Sequence, residues 1–173
     1  MIDRRALLTD GVAIGALMAA SKFAEAETMT TTTATTTQDI DYRKLTDADW
    51  RKRLNPQQYD VLRKHGTERP GTSALNHEKR KGTFECAGCD LPLFSSDTKF
   101  ESGTGWPSFY QPMPDAVETR SDRSLFMTRT EVHCKRCEGH LGHVFDDGPK
   151  PTGLRYCMNG VALKFVPETG GQT

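Results

Sequence analysis

The sequence predicts a mainly β fold, a small antiparallel sheet or barrel-like domain set behind N-terminal helices. Two observations carry that reading. After Gly82 the chain breaks into short runs, Thr83-Phe84-Glu85-Cys86, Leu91-Pro92-Leu93-Phe94, Ser124 to Val132 and Arg155-Tyr156-Cys157, separated by Gly, Pro and Asp clusters. No helical stretch intervenes between them, which favours antiparallel pairing over a parallel sheet.

The elements follow in order. Residues 1–26 have the plan of an export signal: Arg4-Arg5, an apolar run from Gly11 to Ala20, and the small-residue pattern Ala24-Glu25-Ala26. The paired arginines resemble the twin-arginine signal, with Asp3 and Leu7 where Ser or Thr and Phe are usual. A periplasmic location is the expectation, with a frayed N-terminal helix as the alternative. Residues 27–44 contain the threonine-rich tract Thr28 to Thr37, which has no apolar period and reads as a linker. The folded domain is expected over 45–167, with 168–173 a frayed tail.

Two helices open the domain. Thr46 with Asp49 approximates a capping box ahead of Trp50. Asn55-Pro56-Gln57-Gln58 is a stronger start, with an N-cap, proline at the first helical position and Gln at the third, and Gly66 is expected to end that helix. His65 in its last turn suits the helix dipole as a cation. The stretch from Gly66 to Gly82 is loop-like, and His77 within it reads as solvated.

Composition excludes some functions. The chain has 23 Lys and Arg against 23 Asp and Glu, and residues 1–26 are themselves balanced, so the mature part is neutral as well. Neutrality argues against sequence-independent nucleic-acid binding, which needs cations to offset phosphates. No run reaches the ~20 apolar residues of a spanning helix. A soluble monomer with no membrane contact in its mature form is expected.

Five cysteines divide unevenly. Cys86-Ala87-Gly88-Cys89 and Cys134-Lys135-Arg136-Cys137 are both C-x-x-C pairs. Four thiolates from two tight turns suit one tetrahedral Zn²⁺, and a filled ligand set makes the ion structural. Two disulfides, or one redox-active pair, are the competing readings, and the expected oxidising compartment permits them.

Cys157 is left over. On a strand, Arg155, Cys157 and Asn159 project from one face, so a fixed cation beside the sulfur is expected, favouring the nucleophilic thiolate. A buried structural cysteine is the plainer alternative. His140 and His143 lie three residues apart after the second C-x-x-C pair. With the ion already satisfied they read as acid/base or hydrogen-bonding groups, oriented by Asp146 or Asp147. Trp106, in Ser102-Gly103-Thr104-Gly105-Trp106-Pro107-Ser108-Phe109, offers an apolar wall to a ligand, or a core packing group.

In wording and order these segments resemble the methionine sulfoxide reductase B family. The likeness rests on Cys86-x-x-Cys89, Lys99 to Phe109, Cys134-x-x-Cys137, Gly139-His140-Leu141-Gly142-His143-Val144-Phe145-Asp146-Asp147-Gly148-Pro149, and Gly153-Leu154-Arg155-Tyr156-Cys157-x-Asn159. It covers about Leu45 to Pro167. The resemblance implies a twisted antiparallel β fold with a structural four-cysteine zinc site and reduction of the R epimer of methionine sulfoxide in peptides or proteins. It further implies that Cys157 attacks the sulfoxide sulfur and becomes a sulfenic acid, that His140 or His143 protonates the oxygen, and that Trp106 holds the S-methyl group. Asn159, Asp147 and the second histidine would order water and hydrogen bonds. Many members of the family carry a resolving cysteine where this chain has Thr104, so a one-cysteine enzyme reduced by a thioredoxin-like or other thiol partner is expected. A zinc-ribbon-like peptide-binding module and a zinc hydrolase are the rival classes; the second needs an open metal position.

Overall fold

A computed structural model of the chain describes residues 40–123 and 128–169. The expected export signal, the linker up to residue 39 and residues 170–173 lie outside the described residues.

Both expected helices form, each through a complete capping box. In α1, Asp47–Arg53, the Thr46 side chain accepts from the Asp49 N–H and the Asp49 side chain answers to the Thr46 backbone. In α2, Pro56–Lys64, Asn55 and Gln58 do the same, with proline at the first turn. The helix ends one residue earlier than glycine chemistry suggested. His65 itself takes the left-handed conformation, φ 58°. Gly66 follows so closely that a Cβ there would meet the Asp60 carboxylate. Packing also begins before residue 45: a 3-10 turn at Tyr42–Lys44 precedes α1, and Tyr42 stacks on Trp50.

Among the described residues nine strands follow: β1 Gly82–Cys86, β2 Pro92–Ser95, β3 Lys99–Phe100, β4 Ser108–Phe109, β5 Val117–Asp122, β6 Arg129–Cys134, β7 His140–Phe145, β8 Arg155–Met158 and β9 Leu163–Pro167. They form a three-stranded sheet in the order β2-β1-β9 and a six-stranded sheet in the order β3-β4-β8-β7-β6-β5. Every pairing is antiparallel. Of the run expected over Ser124 to Val132, the part from Arg129 onward is strand. Within the described residues the strand runs from Arg129 and pairs antiparallel with β5; residues 124–127 lie outside the described residues. The segment that carries His140 and His143 is itself a strand.

The sheets meet through aromatic rings. Phe94 stacks on Phe109 at 4.4 Å, and Phe84 meets Phe109 edge-on at 4.9 Å, all three fully buried. Such pairs add about 0.5–1.5 kcal/mol each beyond area burial. The contact fixes β4 and β8 beneath the site, because Phe109 pairs with Tyr156, one residue before Cys157.

Candidate active site

The four C-x-x-C cysteines come together where the two sheets join. Their sulfurs lie within 4.8 Å of one another, with Cys86 to Cys137 at 3.7 Å and Cys89 to Cys134 at 3.4 Å, and all four are buried. A tetrahedral ion of zinc's size, bound at about 2.3 Å, spaces its sulfurs about 3.8 Å apart, so this set can hold a metal ion without rearrangement. The two turns are copies in geometry. Asp90 and Glu138, each just past the second cysteine, are both left-handed, at φ 61° and 59°. The N–H of each donates to the carbonyl of its first cysteine. Arginines brace the turns from outside: Arg53 donates to Gly88 O, Arg136 to Cys89 O and Arg63 to Cys137 O. Gly139 gives Leu62 of α2 room over the second turn, since a Cβ there would sit 2.9 Å from the leucine methyl.

Cys157 stands apart, partly exposed on β8. It shares a pocket of about 110 Å³ with Thr67, Trp106, Arg129, Gly142, His143, Phe145 and Asn159. His143 is its cross-strand partner on β7. Between the two histidines, Gly142 lets β7 press against β8, because a Cβ there would come 2.1 Å from the Cys157 carbonyl oxygen. The Trp106 ring is fixed by its Nε1–H, which donates to Glu68 O at 2.9 Å. Asn159 is buried and bonded at both ends of its amide: its Oδ1 accepts from the Glu68 N–H, and its Nδ2 donates to Leu141 O. It therefore fastens the Glu68 segment to β7 and sets the depth of the pocket. The Thr104 hydroxyl lies 3.7 Å from the Cys157 sulfur and is itself backed by Ser102.

The imidazoles are held by carboxylates other than those expected. His143 Nε2 lies 2.8 Å from Asp122 Oδ2, and His140 Nδ1 lies 2.7 Å from Glu131 Oε1. Glu131 also takes two hydrogen bonds from Arg120. Asp122 in turn accepts from Arg129. Neither Asp146 nor Asp147 performs this task. Asp147 is tied to Arg155 through two parallel hydrogen bonds of 2.8 Å and lies outside the lining of the Cys157 pocket. Arg155 packs over Phe145 and is held above its ordinary pKa range, by the Asp147 hydrogen bond first and to a smaller degree by Cys157. It, too, is absent from the pocket lining. His140 lines a neighbouring cavity of about 290 Å³ with His65, Thr67, Asp122, Arg129, Glu131 and His143. Thus His143 touches both spaces, and His140 only the second. Asp122, Arg129 and Glu131 were not anticipated as site residues; Glu131 stands opposite His143 in the β6–β7 register, visible only once that pairing is known.

Burial acts on this group in opposite directions. It lowers His140, outweighing the pull of Glu131. Burial would raise Glu131, but hydrogen bonds from Arg120 and then His140 hold it down at about 2. The consistent picture is a Glu131 carboxylate charge-paired with Arg120, to which a neutral His140 donates its N–H. The sign for stability follows by linkage. A histidine with a lowered folded pKa contributes stability that is complete above the unfolded value of 6.5 and declines as pH falls below it. The Glu131 contribution persists above 4.5 and is lost between there and about 2. Urea midpoints measured downward from pH 8 are expected to start falling near pH 6.5, with part of that slope absent in His140→Gln; identical slopes in both proteins would contradict the assignment.

Fold and site define a class: a small antiparallel β domain joined by four clustered cysteines, with one separate thiol in a pocket lined by tryptophan and histidine. A family model described as the SelR domain matches residues 54–167. The peptide methionine sulfoxide reductase MsrB of Pseudomonas putida (strain W619) is 60% identical over 124 residues, covering 70% of this chain and 92% of its own length. The protein of the same name from Leptospira interrogans is 58% identical over 123 residues, covering 70% and 94%. The chloroplastic peptide methionine sulfoxide reductase B1 of Arabidopsis thaliana is 54% identical over 126 residues, covering 72% of this chain and 62% of its own length. The chain belongs to the peptide methionine sulfoxide reductase B family.

Proposed function

We propose that the chain reduces the R epimer of methionine sulfoxide in peptides and proteins, with Cys157 as nucleophile, and so repairs oxidised proteins. The observation that carries this is the single pocket shared by Cys157, Trp106 and His143. Trp106 and Phe145 supply an apolar wall for the S-methyl group. The Cys157 thiolate, with the fixed charge of Arg155 nearby, attacks the sulfoxide sulfur. His143, the cross-strand neighbour, gives a proton to the sulfoxide oxygen while Asp122 orients its ring, and His140 with Glu131 stands one ring further back. The substrate's sulfur–oxygen bond and the new sulfur–sulfur bond both break as the oxygen passes to Cys157 and methionine leaves. Methionine gains two electrons, and Cys157 loses two to become sulfenic acid. Asn159 acts by holding the pocket wall, and Asp147 by holding Arg155.

Regeneration uses an outside donor. Thr104 occupies the place beside Cys157, and the remaining four cysteines are buried in their own cluster. Two thiols from a thioredoxin-like or glutaredoxin-like partner, or a small thiol, reduce the sulfenic acid and release water. The ion suited to Cys86, Cys89, Cys134 and Cys137 is zinc, which supplies structural bracing. Residues 1–26 would deliver the protein, as a monomer, to the periplasm. Mass spectrometry after one turnover without thiol tests the chemistry. Cys157 is expected to carry one added oxygen; a disulfide from Cys157 to any of the other four cysteines would contradict the scheme.

A further inference from the structure

We infer that His65, His140 and Glu131 form a second divalent-cation site beside the active site, and that zinc bound there inhibits the reductase. The inhibition rests on the function proposed above; the binding does not.

The donor atoms already converge. One ligand atom from each of the three residues lies within 4.8 Å of the others. His65 Nδ1 is 3.1 Å and His140 Nδ1 2.7 Å from the same Glu131 oxygen, Oε1. Ligand bonds of about 2.0–2.2 Å in a tetrahedral set place donors about 3.3 Å apart, so the two imidazole–carboxylate spacings need to open only by a few tenths of an ångström. Two imidazoles and a carboxylate with an open fourth position are a donor set zinc uses. Arg120 holds both carboxylate oxygens, Nε on Oε2 at 2.5 Å and Nη2 on Oε1 at 3.1 Å, and so fixes the head group where Oε1 meets the histidines, in the way outer partners orient metal ligands.

The surroundings supply access and room. Glu131 and His140 are buried, whereas the His65 side chain is about half exposed, at 51%. The cavity of about 290 Å³ bordered by all three accepts the water ligands a cation retains. His65 comes from the end of α2 and the others from β6 and β7, so the site closes only when helix and sheet are docked.

The consequence for catalysis is electrostatic. The His140 ring lies 5.4 Å from that of His143. A cation on His140 breaks its hydrogen bond to Glu131 and puts positive charge one ring from the proton donor. The ion also occupies the cavity that His143 and Asp122 line, so the pair that serves the sulfoxide oxygen is crowded from behind.

The test is calorimetric titration with Zn²⁺ of protein already carrying one equivalent of zinc, in a non-thiol reductant. It compares the wild type, His65→Asn and Cys157→Ser. Asparagine tolerates the left-handed backbone at 65, so His65→Asn is expected to fold and to turn over normally without added zinc. The wild type and Cys157→Ser are expected to bind a second equivalent, and His65→Asn to bind it about tenfold or more weakly. Zinc inhibition of turnover should shift by the same factor in His65→Asn. No second equivalent in the wild type overturns the site. So does one that survives His65→Asn, and loss of it only in Cys157→Ser would place the ion on the nucleophile instead. Binding without inhibition overturns the regulatory half. Because binding is read without turnover, an inactive enzyme leaves the cation site standing.

Discussion

Replacing Cys157 with serine is expected to lower kcat/KM for a methionine sulfoxide peptide by roughly 10³-fold or more, the scale seen when a covalent nucleophile is removed. Two deficits combine. A serine hydroxyl is a far weaker nucleophile than a thiolate, and its oxygen cannot accept the transferred oxygen and be reduced again by thiols. Nothing else in the site should change, since serine is close to cysteine in size and the position is only partly buried. Metal content and melting temperature should therefore match the wild type. A variant that keeps a tenth of the wild-type rate would show that another group carries the chemistry, and a variant that unfolds would show that Cys157 is a structural thiol.

Replacing Cys134 with alanine should do the reverse, striking stability before chemistry. The residue is fully buried at the end of β6 and holds the six-stranded sheet to the Cys86 turn through the sulfur cluster. Structural zinc contributes about 10–16 kcal/mol in isolated finger peptides. Here a buried aromatic core and two capped helices add contacts that do not involve the sulfurs, so only part of that is at stake. An expected loss of about 3–5 kcal/mol, typical of breaking a buried charged cluster, corresponds to a melting temperature lower by on the order of 10 °C. Strong chelation should destabilise the wild type similarly and the variant little further. Native protein with no metal and four oxidised cysteines would contradict the metal reading directly.

What could be read from the chain was what is local. Each helix start is decided by residues three apart, so Thr46 with Asp49 and Asn55 with Gln58 announced their own caps. Both C-x-x-C turns are equally self-contained. The end of α2 was missed by one residue because His65, unlike most side chains, accepts the left-handed conformation there. β7 was hidden by its own composition: two histidines and a glycine interrupt the alternation by which strands are recognised. The carboxylates facing those histidines were out of reach for a different reason. Glu131 and Asp122 approach the imidazoles only through the β5-β6-β7 register, and a shift of one residue would turn them to the other face. Nearness in sequence favoured Asp146 and Asp147 instead. Asp147 is taken by Arg155, and the chain reverses between them, with the Gly148 N–H bonded to Gly153 O.

The most direct test is turnover of the separated R and S epimers of a methionine sulfoxide peptide by the mature protein with dithiothreitol as reductant. Reduction of the R epimer alone, abolished in Cys157→Ser, is the predicted result. Folded, metal-loaded protein that reduces neither epimer would contradict it, and would leave the Trp106 and His143 pocket as a site that binds peptide without chemistry.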